Sequence, residues 1–279
     1  MKREDRSNKV ISLTKRILDR KSIPSHSKWN TRVISITSGK GGVGKTNIVA
    51  NLGFSLSRLG KKVLILDADL GLGNLDVLLG LTPEYNFSHV IMGLKTISEI
   101  IIEGPGNMKI LPASSGIQEL TELTKEQKVR LLTQLDLLIN PMDILLIDTA
   151  AGISSNVMYF NVTAQEIMVV VTPEPTSITD AYALMKVLSL KYSANHFKLL
   201  VNLTASTQEA REVFWQLRRV ADRFLDISIE YVGCVLFDEN VTKCVKVQKV
   251  ISEIDPDLSL IHISEPTRPL YISYAVFCL

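Results

Sequence analysis

The feature that most constrains this chain is the run Ile34-Ser-Ile-Thr-Ser-Gly-Lys-Gly-Gly-Val-Gly-Lys-Thr46. A β-branched run breaks at a glycine-rich turn, and the helix-competent stretch Asn47 to Leu59 follows. Strand, loop and helix in that order are the setting a phosphate-binding loop requires. Gly39, Gly41, Gly42 and Gly44 allow backbone conformations closed to residues with a side chain, so successive N–H groups can turn onto phosphate oxygens. The following helix brings the positive end of its dipole to the same point. Lys45 would reach the β- and γ-phosphates and the Thr46 hydroxyl would ligate Mg2+, with Val43 and Asn47 completing the nucleotide-binding run. A glycine-rich turn can arise by chance, but the strand before it and the helix after it favour phosphate.

From Val33 onward strand-like and helical stretches alternate. That pattern predicts an α/β fold with a doubly wound, mostly parallel sheet flanked by helices. Strands are expected at about 32–37, 62–67, 108–112, 143–148, 167–172, 197–202 and 230–236, and helices at about 44–58, 125–139, 154–161, 177–192 and 206–225. Ile144-Leu-Leu-Ile147 and Ile167-Met-Val-Val-Val171 are continuous apolar runs, as strands covered on both faces must be. No linker follows residue 32, so residues 32–257 read as one domain.

Open α/β sheets bind ligands beyond the carboxyl ends of their strands. Val63-Leu-Ile-Leu-Asp67-Ala-Asp69 ends a strand in paired acids, and Asp148 follows Ile144–Ile147 in the same way. A strand-end aspartate near phosphate-bound Mg2+ holds the metal directly or through water, which makes Thr46, Asp67 and Asp148 the candidate metal set. One such aspartate alone is more simply a turn or cap residue. Two strand ends beside a glycine loop point to nucleotide hydrolysis.

Composition removes several classes. No apolar run approaches the ~20 residues that span a bilayer. Cys234, Cys244 and Cys278 form no Cys-x-x-Cys pair, which disfavours structural disulfides, zinc and iron–sulfur clusters and points to a reducing cytoplasm. Residues 1–32 hold ten Lys or Arg against three acids, +7 within a total of +2, leaving −5 for the remainder. A body of that charge does not advertise direct nucleic-acid binding. His89 and His196 read as surface or cap residues, Cys234 as a packed strand residue, and Trp215 as core or partner face rather than a cofactor site.

Lys40 adds a second lysine early in the loop. The run Lys40-Gly-Gly-Val-Gly-Lys45-Thr46 resembles the deviant Walker A motif of the MinD/ParA ATPases, and Asp67-Ala-Asp-Leu-Gly-Leu-Gly-Asn-Leu-Asp-Val-Leu-Leu-Gly80 resembles switch I of that family, in wording nearest its flagellar-number branch, FlhG or FleN. The resemblance implies ATP and Mg2+ as cofactors and an ATP-driven homodimer in which Lys40 acts in trans on transition-state charge. It implies that Asp69 orients the attacking water, that Asp67 and Asp148 support Mg2+, that Gly152 senses the γ-phosphate and that Asn202 contacts adenine. The catalytic set is then Asp69, Lys40 and Lys45. The implied output is control of flagellar number or placement, through an FlhF-like GTPase and a flagellar transcriptional regulator. A MinD-like division-site regulator and a non-hydrolysing nucleotide-binding scaffold are the alternatives.

The ends depart from the family pattern. Residues 1–31 form a basic arm and linker in which Val10, Leu13, Ile17 and Leu18 recur at helical spacing. Such an arm suits a partner or an anionic membrane surface. The activator motif usual in the flagellar branch is missing from it, Asn8-Lys-Val-Ile-Ser-Leu-Thr14 keeping only the leucine. Val245 to Ile254 reads as the start of the family's amphipathic membrane helix, which would give peripheral contact with the inner face of the cell membrane. Residues 258–279 do not continue it, because Pro266 and Pro269 break a helix. They resemble a translated sequencing adapter, so the expectation is a non-native tail, checked by resequencing the locus.

Overall fold

The computed structural model describes residues 31–113, 124–139, 141–254, 261–265 and 268–270. Residues 1–30 of the basic arm and linker lie outside the described residues. β1 (Arg32–Ser38), α1 (Lys45–Arg58) and β2 (Val63–Ala68) open the fold. Short helices α2 (Leu75–Leu78), α3 (Phe87–Ile91) and α4 (Ile97–Ile100) lead to β3 (Ile102–Glu103), β4 (Lys109–Leu111) and α5 (Lys125–Ile139). Then come β5 (Ile144–Ala151), α6 (Ser155–Thr163), β6 (Glu166–Val171), α7 (Pro175–Tyr192), β7 (His196–Thr204), α8 (Thr207–Phe224) and β8 (Ser228–Leu236). α9 (Glu239–Lys246), α10 (Ile251–Ile254), β9 (Ile261–Glu265) and β10 (Arg268–Leu270) follow.

The strands form one sheet in the order β10-β9-β8-β7-β6-β1-β5-β2-β4-β3. The neighbours from β8 to β4 pair in parallel, while β3 and the β9–β10 hairpin are antiparallel edges. All seven expected strands and all five expected helices are present. β2 shows why a parallel strand needs a continuous apolar run: Val63 and Ile65 pack in the cluster beneath α1, while Leu64 and Leu66 pack with Leu131, Leu135 and Ile139 of α5 on the other face. A third cluster joins α7 and α8 to Val169, Val171, Leu199 and Val201.

Helix starts follow side-chain chemistry. Ser154 accepts from Val157 N–H to cap α6, Ser206 from Glu209 N–H to cap α8, and Asp238 from Asn240 N–H to cap α9. The amphipathic helix expected over Val245–Ile254 is not continuous. α9 ends at Lys246, Gln248 adopts a left-handed φ of 56°, and only Ile251–Ile254 resumes helical geometry. The turn is anchored, since Gln248 Nε2 donates to the Val77 carbonyl at 2.8 Å and Ser252 N–H to Asn51 Oδ1 at 3.3 Å. Among the described residues no helix is long and apolar enough to cross a membrane.

Candidate nucleotide site

β1 lies between β5 and β6, where the order of the sheet reverses, and a crevice opens there at the carboxyl ends of the strands. The glycine loop leaves β1 at this point. Gly44 is the N-cap of α1 with φ 87°, a conformation costly for any residue with a Cβ. α1 has no side-chain cap and no acidic residue in its first turn, so its first N–H groups and dipole are left for an anion. Gly39 has a different reason to be glycine, since a Cβ there would sit 2.2 Å from the Asp180 carbonyl on α7. Gly41 and Gly42 are exposed and face open space.

Lys45, Asp67 and Asp148 are buried at 9%, 2% and 2% exposure beneath the loop. Asp67 and Asp148 are register partners on β2 and β5, so two carboxylates share one dry region. Burial raises the Asp67 pKa well above the ordinary range and the charge of Asp148 adds to it, against hydrogen bonds from the N–H groups of Leu75 and Asp69 at 3.2 Å each. Burial likewise lifts Asp148 to about 6, against the Thr46 hydroxyl and Lys45, which favour its charge. Burial lowers the Lys45 pKa, while Asp148 and Asp69 oppose that fall. Its ammonium donates to Ser38 Oγ at 2.8 Å.

Oδ1 of Asp148 is buried with no hydrogen-bond partner. An acceptor in that state is costly unless something occupies it. Hard carboxylate oxygens and the Thr46 hydroxyl suit Mg2+, so the residues fit the ion the sequence implies. Among the described residues no three His, Cys, Asp or Glu side chains assemble a complete metal cage.

The remaining expected residues fall around this centre. Asp69 is half-buried and its Oδ1 accepts from Leu72 N–H at 3.3 Å, shaping the turn that leads to α2. Gly152 has φ 89°, and its N–H donates to the Ser38 carbonyl at 2.9 Å. Lys40 is held within its own chain by an ion pair to Glu174 and a 3.0 Å hydrogen bond to Thr176, beside the N-terminus of α7. Asn202 donates to the Val43 carbonyl at 2.7 Å, and a Cβ on Gly44 would meet its Nδ2 at 2.4 Å. It therefore braces the loop, and also lines a cleft shared by Gly44, Asn47, Asn51, Leu203, Phe237 and Val241.

Ser38, Glu174 and the cleft residues Leu203 and Phe237 were not singled out from sequence. Phe237 at 61% exposure beside a phosphate loop is the kind of apolar surface a base covers, but strand periodicity does not reveal it. His89 completes the capping box of α3 with the N-cap Asn86, Cys234 is fully buried in β8, and Trp215 is 51% exposed with its ring 5.1 Å from that of Phe214, so it is not a core residue.

The geometry has counterparts in known proteins. A family profile described as an AAA domain matches residues 31–199. The antiactivator FleN of Pseudomonas aeruginosa is 46% identical over 225 residues, 81% of this chain and 80% of FleN. The flagellum site-determining protein YlxH of Helicobacter pylori is 34% identical, covering 82% of this chain and 78% of YlxH. The solved structure of the septum site-determining protein MinD of Pyrococcus horikoshii, complexed with Mg-ADP, superposes with a TM-score of 0.67 at 25% identity, over 82% of this chain and 90% of that one.

Proposed function

The chain belongs to the MinD/ParA family of P-loop ATPases, in its FleN-like branch, and from that premise we propose that it is an Mg2+-dependent ATP hydrolase that regulates flagellar number or placement as a dimerisation switch. The observation that carries this reading is the group beneath the glycine loop: Lys45 and Thr46 at the start of α1, with Asp67 and Asp148, whose Oδ1 has no partner, at neighbouring strand ends. The 46% identity to FleN supplies the flagellar context.

In this reading the uncapped start of α1 and the loop N–H groups bind the phosphates, and Lys45 moves from Ser38 onto them. Thr46, Asp67 and Asp148 would hold Mg2+, directly or through water, and the ion would supply charge neutralisation at the phosphates. Asp69 orients water. The cleft at Asn202 and Phe237 takes the base. Lys40 leaves Glu174 and reaches the nucleotide of a second copy. Turnover is slow because the output is a population of dimers, not product. An FlhF-like GTPase and a flagellar transcriptional regulator are the proposed partners.

Light scattering with ADP and with ATP, on the wild type and on Asp69→Ala, tests the switch. A dimer that forms with ATP alone and persists in Asp69→Ala is expected. A monomer in every condition would rule the switch out. A division-site role is the second reading, favoured by the likeness to MinD. Restoring flagellar number in cells lacking FleN decides for the first; shifted septa without a flagellar effect decide for the second.

A further inference from the structure

Ser38 ends β1 and is wholly buried, at 0% exposure. Its hydroxyl donates to the Lys40 carbonyl at 2.7 Å and accepts from Lys45 Nζ at 2.8 Å. A hydroxyl has one proton, so the bond to Lys40 turns its lone pairs toward the ammonium. Its backbone carbonyl accepts the Gly152 N–H at 2.9 Å. One serine thus touches the phosphate lysine, the backbone of the early lysine, and the glycine expected to sense the γ-phosphate.

An ammonium and a half-unpartnered carboxylate, both buried, attract one another strongly because little water screens them. Lys45 and Asp148 attract one another, yet Oδ1 of Asp148 has no partner and the ammonium rests on the serine. We propose that Ser38 is a positioning residue that holds Lys45 off Asp148. The carboxylate then stays open for the cation, and the ammonium is released when phosphate arrives. Because the Gly152 N–H is committed to the same residue, its contact with phosphate requires a second bond of Ser38 to open. Lysine transfer and glycine rearrangement therefore meet at one side chain and its carbonyl. This inference rests on the nucleotide-site reading.

The test is calorimetric titration of the full chain with ADP and with a non-hydrolysable ATP analogue, each in Mg2+ and in EDTA. The wild type should bind more tightly with Mg2+. In Ser38→Ala, Lys45 closes onto Asp148, and affinity in Mg2+ should fall by about tenfold while affinity in EDTA changes by about twofold or less. Ser38→Thr keeps the hydroxyl on a side chain suited to a strand end, and should restore the Mg2+ gain. An equal loss with and without Mg2+, or no loss at all, would overturn the proposal, since a purely structural serine predicts the former and an idle one the latter. If melting curves show that Ser38→Ala does not fold, Ser38→Cys takes its place. Its weak acceptor should lose the Mg2+ gain, and full retention would overturn the proposal. A wild type that binds neither nucleotide fails the site reading itself, and the proposal with it.

Discussion

At the scale of single residues, the site is a set of groups kept in unfavourable states until a ligand arrives. Asp148 is the clearest case, with its carboxyl lifted to about 6 by burial. A carboxyl whose folded pKa lies above its unfolded one binds protons more tightly when folded. It therefore costs stability that grows as pH rises from the ordinary carboxylate range, near 4, through about 6. Asp67 contributes in the same direction. In the absence of nucleotide, Asp148→Asn is expected to stabilise the chain at pH 8 by on the order of 1 kcal/mol, and by less at pH 5. Urea unfolding at the two pH values measures this, and the variant should also lose the Mg2+ gain in nucleotide affinity. Gly39→Ala forces a Cβ against the Asp180 carbonyl, where backbone cannot yield cheaply, so a loss of about 1–3 kcal/mol and weaker nucleotide binding are expected. The residue types of this site were legible because glycines, a lysine and strand-end acids have few other reasons to share such spacing. Ser38 was not legible, because a polar residue closing a strand looks the same whether or not a lysine rests on it. Glu174 stayed hidden for another reason, since the contact to Lys40 spans 134 positions of sequence.

At the scale of elements, what sequence revealed mostly tracks length, although β4, three residues long, was expected at about 108–112 and is present. Strands of six to nine residues such as β2 and β7, and helices of 14 to 18 such as α1 and α8, have enough turns or alternations to carry a period. α2 and α4, at four residues each, and β3, at two, have none, and they exist because tertiary contacts hold them. The expected helix over Val245–Ile254 failed at one residue. Gln248 takes a left-handed turn there, compensated by its bond to Val77 next to Gly80. Replacing it separates the two effects. Gln248→Ala loses the hydrogen bond and keeps the strain, for about 1 kcal/mol of destabilisation. Gln248→Gly loses the bond but relieves the backbone, and should come out about 0.5–1 kcal/mol more stable than the alanine variant. Thermal melts of the pair decide it, and equal stabilities would mean that the turn stores no strain.

At the scale of the whole molecule, exposed apolar residues also lie on the two segments that follow Asp67 and Asp148, apart from the cleft at Leu203 and Phe237. Leu72 is 71% and Ile153 55% exposed. Ile153→Asp is expected to leave the monomer within about 0.5 kcal/mol of wild-type stability and to weaken ATP-dependent dimerisation by about tenfold or more, read by light scattering. The sheet order has a further consequence, which belongs to synthesis. β1 is made early, but its two neighbours are β5, beginning at Ile144, and β6, beginning at Glu166. Until β5 is made, Val33, Ile34 and Ile36 have no strand beside them, and until β6 follows the glycine loop lacks one side of its frame. The nascent chain thus carries an apolar strand without its β5 and β6 neighbours until Val171 has been added, and the phosphate loop is without its full frame during that interval. The segment that gives the protein its chemistry is thus also one that waits long for its partners, the state in which an apolar strand is most open to wrong pairing.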